Sequence, residues 1–284
     1  MIIIAESGST KCHWILCNKN GEIKKEFKTI GLNPYFTKKN EIINTLKKSE
    51  INEFKQTIKT IFFYGAGCLE KEKRKIIKDA LQNVFTQAII KIKHDLEAAC
   101  LALYKNEPNI TCILGTGSNS CYYDGKNITK NSPSLGFMIG DEASGNYFGK
   151  KILNLYFNNL LPKDLKSKLK EKYEIDIAIV KNKLYNSARP NMFLAKYFPF
   201  ISENKDHPFI YRLIYNILEE FITVHVKSYK NHSSVKINFV GSVAFYLKDE
   251  IEFLMKKHKV KLGDIIKDPI YNLVKYHSKN INNY

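Results

Sequence analysis

Apolar residues gather in short bursts along the first third of the chain, and each burst ends at a turn former. Residues 1–29 therefore read as three strands: an apolar opening at Met1 to Ala5, a turn at Ser7-Gly8-Ser9-Thr10, a second strand through His13-Trp14-Ile15-Leu16, an Asn18-Lys19-Asn20-Gly21 turn, and a third strand. Beyond a proline-containing loop at 31–36, the pattern predicts a helix over 37–49, a strand over 58–64, a charged helix over 69–85, a strand over 87–93 and a helix from about Asp95. Residues 110–128 repeat the opening, with the apolar run Ile110 to Leu114, a Gly115-Thr116-Gly117-Ser118 turn, a strand through Cys121-Tyr122-Tyr123 and an Asp124-Gly125 hairpin. Several helices are predicted over 142–230, then a strand at 235–240, a helix at 242–258, a strand at 260–266 and a last helix from about 268. The chain thus reads as an α/β protein built of two copies of a strand meander followed by alternating helices, the second copy carrying a helical insertion.

The repetition has a chemical meaning. A turn without side-chain bulk can aim several backbone N–H groups and a hydroxyl at one anion, and two such turns can hold a polyphosphate from opposite sides. Either turn alone is more often just a tight connection, so it is the matching positions that predict a nucleotide cleft between two lobes. A Walker-type loop is absent: the nearest string, Gly145 through Gly149-Lys150-Lys151, has the wrong glycine spacing and lysine where Ser or Thr is required.

Composition narrows the classes. At 284 residues, 44% apolar and 26% charged, the chain is long enough for a sizeable core and too ordinary for disorder or a fibre. No apolar stretch approaches the ~18 residues of a membrane helix, and the opening lacks the features of a signal peptide, so a cytoplasmic protein without membrane partners is expected. A net charge of +17 suggests nucleic acid, but 42 of the 45 basic residues are scattered lysines, and Arg74, Arg189 and Arg212 are the only arginines. Base readout and bidentate phosphate clamps favour arginine, so a solvated basic surface is expected and nucleic acid is not. The six cysteines show no C-x-x-C spacing and read as buried thiols. The aromatics, such as Tyr197, Phe198, Phe200, Tyr211 and Tyr215, read as core.

Four segments together carry a resemblance: Ala5-Glu6-Ser7-Gly8-Ser9-Thr10-Lys11, Leu114-Gly115-Thr116-Gly117-Ser118-Asn119, Gly140-Asp141-Glu142-Ala143-Ser144-Gly145, and Phe239-Val240-Gly241-Ser242-Val243-Ala244. In order and spacing they resemble the N-acetylglucosamine kinases and related BadF/BadG/BcrA/BcrD-type ATPases of the actin-like, sugar-kinase superfamily, and Gly31-Leu32-Asn33-Pro34, Tyr64-Gly65-Ala66-Gly67 and His94-Asp95-Leu96 are lesser matches. The resemblance covers nearly the whole chain. It implies a two-lobed actin-like ATPase (ribonuclease-H-like) fold of duplicated βββαβαβα units, with an N-terminal lobe of residues 1–108 plus 269–284 and a C-terminal lobe of 109–268. It also implies ATP-dependent phosphorylation of an amino sugar, with N-acetylglucosamine and its 6-hydroxyl expected, and ATP with Mg²⁺ as cofactors.

Residue roles follow. Asp95 succeeds an apolar strand and opens a helix with an apolar early face, so its carboxylate is expected in the cleft, kept ionised by the helix dipole and able to take the proton of an attacking hydroxyl. By itself an aspartate there is usually a helix cap; its place between the phosphate turns and the matching position of the family's base favour catalysis. The resemblance makes Ser7, Gly8, Ser9, Thr10, Lys11, Gly115, Thr116, Gly117 and Ser118 phosphate-loop residues, and Gly241 and Ser242 the adenosine loop. Asn33 is expected to meet an acetamido group or a sugar hydroxyl, with Asn119, Asp141 and Glu142 at the same sugar. Glu6 is the expected Mg²⁺ contributor through water, although the family usually has Asp there, and one methylene moves a carboxylate by ~1 Å. Ala143 stands where the family commonly has Gly, and His13, among apolar neighbours, reads as structural. A catalytically weak sugar sensor and a BadF-type activator ATPase are the alternatives, the latter lacking its cysteine context here. A homodimer is left open.

Overall fold

The N-terminal apolar run has no polar face, and so it becomes a central strand. In the computed structural model, which describes residues 1–280, β1 (Ile2–Ser7) pairs antiparallel with β2 (Lys11–Cys17) and parallel with β4 (Thr60–Gly65). With β3 (Ile23–Ile30) outside β2 and β5 (Ile89–His94) outside β4, the order is β3-β2-β1-β4-β5. Successive side chains alternate between faces, which gives two cores. Ile3, Ala5, Trp14, Leu16, Ile61 and Phe63 pack under α1 (Lys39–Lys48) and α2 (Lys71–Val84). Ile2, Ile4, Ile15, Phe62 and Tyr64 face α3 (Asp95–Leu103) and the last helix, α13 (Ile270–Lys279). These elements form one compact unit, Met1–Glu107 together with the chain from Asp268. Residues 281–284 of the predicted N-terminal lobe lie outside the described residues.

The second unit, Pro108–Lys267, repeats the plan. Its strands are β6 (Asn109–Leu114), β7 (Ser118–Tyr123), β8 (Ile128–Thr129), β9 (Lys236–Val240) and β10 (Lys261–Ile266), in the order β10-β9-β6-β7-β8. Read from β8, this is the order of the first sheet. Between β8 and β9 lie α4 (Gly136–Ile139), α5 (Gly145–Phe157), α6 (Lys163–Lys172), α7 (Ile177–Tyr185), α8 (Pro190–Ala195), α9 (Phe198–Glu203) and α10 (Pro208–Phe221). A π-helical turn, Ile222–Val226, continues α10. Ile210, Ile214, Ile217, Leu218 and Phe221 recur at helical spacing and carry α10 into a core with Phe148, Tyr197, Phe200 and Phe239. After β9 come α11 (Ser242–Tyr246) and α12 (Lys248–Lys257).

The predicted elements are all present, with four local departures. The helix predicted from 142 begins at Gly145, because Asp141 and Ala143 hold left-handed backbone at φ 59° and 57°. The helix predicted over 242–258 is two helices meeting at Leu247, a fully buried residue with φ −104° and ψ 27°. Ser118 belongs to β7 rather than to the turn, paired with Leu114. Tyr211, expected in the core, is 43% exposed on the outer side of α10, one position past buried Ile210. All six cysteines are buried free thiols. No helix among the described residues is long and apolar enough to cross a membrane.

Candidate functional site

In both sheets the glycine turns sit at the carboxyl ends of the parallel strands, where open α/β sheets gather their ligands. In the first unit the turn at residues 8–10 follows β1 and is closed by Gly8 N–H donating to Lys11 O at 3.0 Å. Loop 31–33 lies against it, with Gly31 N–H donating to Thr10 O at 3.0 Å and Leu32 N–H to Ser7 Oγ at 2.9 Å. Ser7 is fully buried and its hydroxyl is occupied by this loop, so this predicted phosphate residue is turned inward, and Ser118, predicted in the second turn, is buried as well. Ser9 Oγ accepts from Asn33 Nδ2 at 3.1 Å, and Asn33 Oδ1 accepts from Tyr35 N–H at 3.0 Å. Among the described residues one amide hydrogen and one lone pair of Asn33 have no hydrogen-bond partner. Lys11 Nζ is paired with Asp268 Oδ1 at 2.7 Å, a partner from the start of the returning C-terminal segment.

The same strand ends collect carboxylates. Glu6 lies opposite Tyr64 on β4, and His94, last in β5, lies opposite the adjacent Gly65. Asp95 is the first residue of α3; His94 caps the helix through Nδ1, which accepts from Leu96 N–H at 3.2 Å and stands 2.8 Å from Asp95 Oδ1. The cap is thus His94, and Asp95 is the first residue of the helix proper. Glu6 is pushed up to about 7, first by burial and then by the Asp95 and Asp268 carboxylates, against the pull of Lys11. Crowded carboxylate oxygens of this kind suit a hard divalent cation. Among the described residues no group of three or more His, Cys, Asp or Glu is arranged to ligate an ion.

In the second unit the turn at residues 115–117 is again three residues long, closed by Gly115 N–H donating to Gly117 O at 3.0 Å. It is clamped from behind. Gly145 N–H donates to Gly115 O at 2.8 Å, Asn146 N–H to Thr116 O at 3.1 Å, and Asn146 Nδ2 to Thr116 O and Asp141 Oδ2, both at 2.7 Å. Asp141 Oδ1 accepts from Ser118 N–H at 3.3 Å, and a Cβ on Gly117 would stand 2.9 Å from Oδ2, so a side chain there would push the Asp141 carboxylate aside. Burial raises the Asp141 carboxyl above its ordinary range, although the Asn146 and Ser118 bonds oppose this. Glu142 Oε2 accepts from His225 Nε2 at 2.8 Å. Asn119, buried at 9% exposure, follows Ser118 on β7. Gly241, at φ 120°, follows β9, and a Cβ there would meet Leu114 O at 2.3 Å; Ser242 is exposed beside it, with the half-exposed Phe245 and Tyr246 rings next along α11.

Within the first unit, Glu6, the turn 8–10, Lys11, Asn33 and Asp95 therefore share one sheet end; within the second, residues 115–119, Asp141, Glu142, Gly241 and Ser242 share another. His13 is 5% exposed, bonded to Glu26 at 2.9 Å and edge-on to Tyr271, in keeping with a structural role. Asn146, His225 and Asp268 were not legible as site residues. Asn146 carries no motif of its own, and the partners of His225 and Asp268 lie 83 and 257 residues away in sequence.

No protein-family model matches the sequence, and no curated protein matches it. Solved structures do. A protein of Porphyromonas gingivalis, provisionally named N-acetylglucosamine kinase, is 33% identical over 99% of this chain and 100% of its own, with a TM-score of 0.92. A protein of Chromobacterium violaceum with the same provisional name is 15% identical over 97% and 98% of the chains, TM-score 0.73, and a ROK-family glucokinase of Streptomyces griseus, solved with glucose and AMPPNP, is 12% identical over 98% of each, TM-score 0.55. The latter two share the fold. On the first, with a third of the residues in common along the full length of both chains, the protein belongs to the N-acetylglucosamine kinase-like family of sugar kinases, on the actin-like ATPase fold.

Proposed function

We propose that the protein transfers the terminal phosphoryl group of ATP to an amino sugar, with N-acetylglucosamine as substrate and its 6-hydroxyl as acceptor. The observation that carries this reading is the gathering, at the carboxyl end of the first sheet, of a glycine turn, the Asn33 amide and the Asp95 carboxylate. Asp95 orients the acceptor hydroxyl and takes its proton as the sugar oxygen bonds to phosphorus and ADP departs. Backbone amides at the tips of the two turns, Ser9 and Thr10 in the first and Thr116 and Gly117 in the second, with the Thr10 and Thr116 hydroxyls, hold phosphate oxygens. Ser7 supports the first turn from within by fixing loop 31–33. The remaining hydrogen-bond capacity of Asn33 serves the acetamido group, while Asn119, Asp141 and Glu142 take sugar hydroxyls. Gly241 lets adenosine approach the backbone beside Ser242. Mg²⁺, when bound, offsets the charge of the phosphates, and Glu6 orders its waters.

Assaying ATP-dependent phosphorylation across the N-acetylhexosamines tests the activity. Asp95→Asn should lower kcat by about 10²–10⁴-fold, the usual contribution of a general base, while sugar and nucleotide affinities stay near wild type. Retention of most of the activity by Asp95→Asn would overturn the base assignment.

A further inference from the structure

A buried histidine and a partly buried glutamate of the second unit are joined by a bond that the phosphate chemistry does not use. His225 lies in the π-helical turn Ile222–Val226 and is 4% exposed. Its ring is stacked on Phe221, with centroids 4.8 Å apart and planes 25° from parallel. Its backbone carbonyl accepts from Ser120 Oγ at 2.9 Å, and that hydroxyl also meets Tyr229 OH at 3.2 Å. Nδ1 is buried with no hydrogen-bond partner among the described residues, whereas Nε2 stands 2.8 Å from Glu142 Oε2. A bare nitrogen tolerates that Nδ1 environment better than an N–H, so the proton belongs on Nε2, where it is donated to the carboxylate.

Glu142 is held between two residues in left-handed backbone, Asp141 and Ala143. Such strain persists only where surrounding structure fixes it, and it concentrates at ligand sites; inserted π turns do the same. With Oε2 occupied by His225 and the side chain 15% exposed, Glu142 has its second oxygen left for a ligand. Ser120, which fixes the His225 backbone, directly follows Asn119 on β7, so the same ring is referenced to two of the sugar residues named above.

We propose that His225 is a positioning residue of the sugar site: by holding one oxygen of Glu142 it presents the other to a hydroxyl of the acceptor sugar. This rests on the sugar-kinase reading, and on Glu142 touching the sugar. The test compares His225→Phe, which keeps the ring stacked on Phe221 and removes the donor, with His225→Gln, whose amide can replace Nε2–H. Steady-state kinetics with N-acetylglucosamine and ATP, calorimetric titration of N-acetylglucosamine and thermal midpoints are measured on each. His225→Phe should raise the sugar KM and Kd by about tenfold or more, leaving the ATP KM within about twofold, and His225→Gln should restore most of the loss. In a Glu142→Gln background, His225→Phe should add little further effect. Sugar parameters unchanged in His225→Phe, or sugar and ATP parameters weakened equally, would overturn the assignment. If wild-type protein binds the sugar without phosphorylating it, the activity reading fails while the Kd comparison still decides the role of His225; if it neither binds nor phosphorylates the sugar, both fall.

Discussion

Glu6 stands among other carboxylates, and that placement has a thermodynamic sign. Its folded-state pKa is raised from 4.5 to about 7 by burial, Asp95 and Asp268, so between those values the folded protein binds the extra proton. Stability from this group is therefore present at low pH and declines as pH rises from about 4.5 to about 7. Glu6→Gln, which cannot ionise, should match wild type near pH 4.5 and unfold at a higher temperature above pH 7 when metal and nucleotide are withheld. A thermal-shift series with no widening gap would contradict this account. At this scale the sequence was informative where a residue's chemistry was local. Asp95 after an apolar strand, and Asn33 before proline, could be named as candidates from the sequence. Asn146 and His225 could not, because their meaning comes from partners supplied by distant elements.

The second glycine turn shows the same lesson for elements. Its length and composition were readable, but what holds it rigid is the start of α5, where Asn146 donates twice from a fully buried side chain. Asn146→Leu leaves Asp141 Oδ2 short of a donor, a cost of about 1–3 kcal/mol, while Thr116 O loses one of its two donors and keeps the backbone N–H of residue 146. The variant should show an ATP KM raised by about tenfold or more, with the sugar Kd weakened as well through Asp141; an unchanged ATP KM would mean the turn does not depend on this clamp. Gly241→Ala should be harsher, since both its φ and the 2.3 Å approach to Leu114 O forbid a side chain, and loss of soluble protein is expected. Turn positions were legible in the sequence because glycine marks them; the late start of α5 and the break at Leu247 were not, because Asp, Ala and Leu carry no such mark.

At the scale of the molecule, the repeated strand order was visible as a repeated pattern, strand, glycine turn, strand, hairpin. The return of the chain to the first unit was not, since an amphipathic helix does not state which sheet it will cover; the family resemblance supplied that. Ile270, Leu273 and Val274 of α13 are buried on Ile2, Ile4 and Phe62, and burying three such side chains is worth roughly 5–9 kcal/mol. A chain ending at residue 267 should therefore fail to accumulate as folded protein. His277 on the same helix is stacked on Phe62 and bonded to Tyr64 OH at 2.8 Å, and burial, with Lys93 and Lys91 adding to it, lowers its pKa from 6.5 to about 4. The unfolded chain then takes the proton first, so this group costs stability as pH falls from about 6.5 to about 4. His277→Phe should flatten that part of the pH–melting profile while lowering the midpoint at pH 8; an unaltered slope would refute the assignment. The six sequestered sulfurs have a practical corollary. Cys12, Cys17, Cys68 and Cys100 belong to one half and Cys112 and Cys121 to the other, so the pace at which each group reacts with a thiol reagent in dilute urea would time the loosening of each half separately, with no label added.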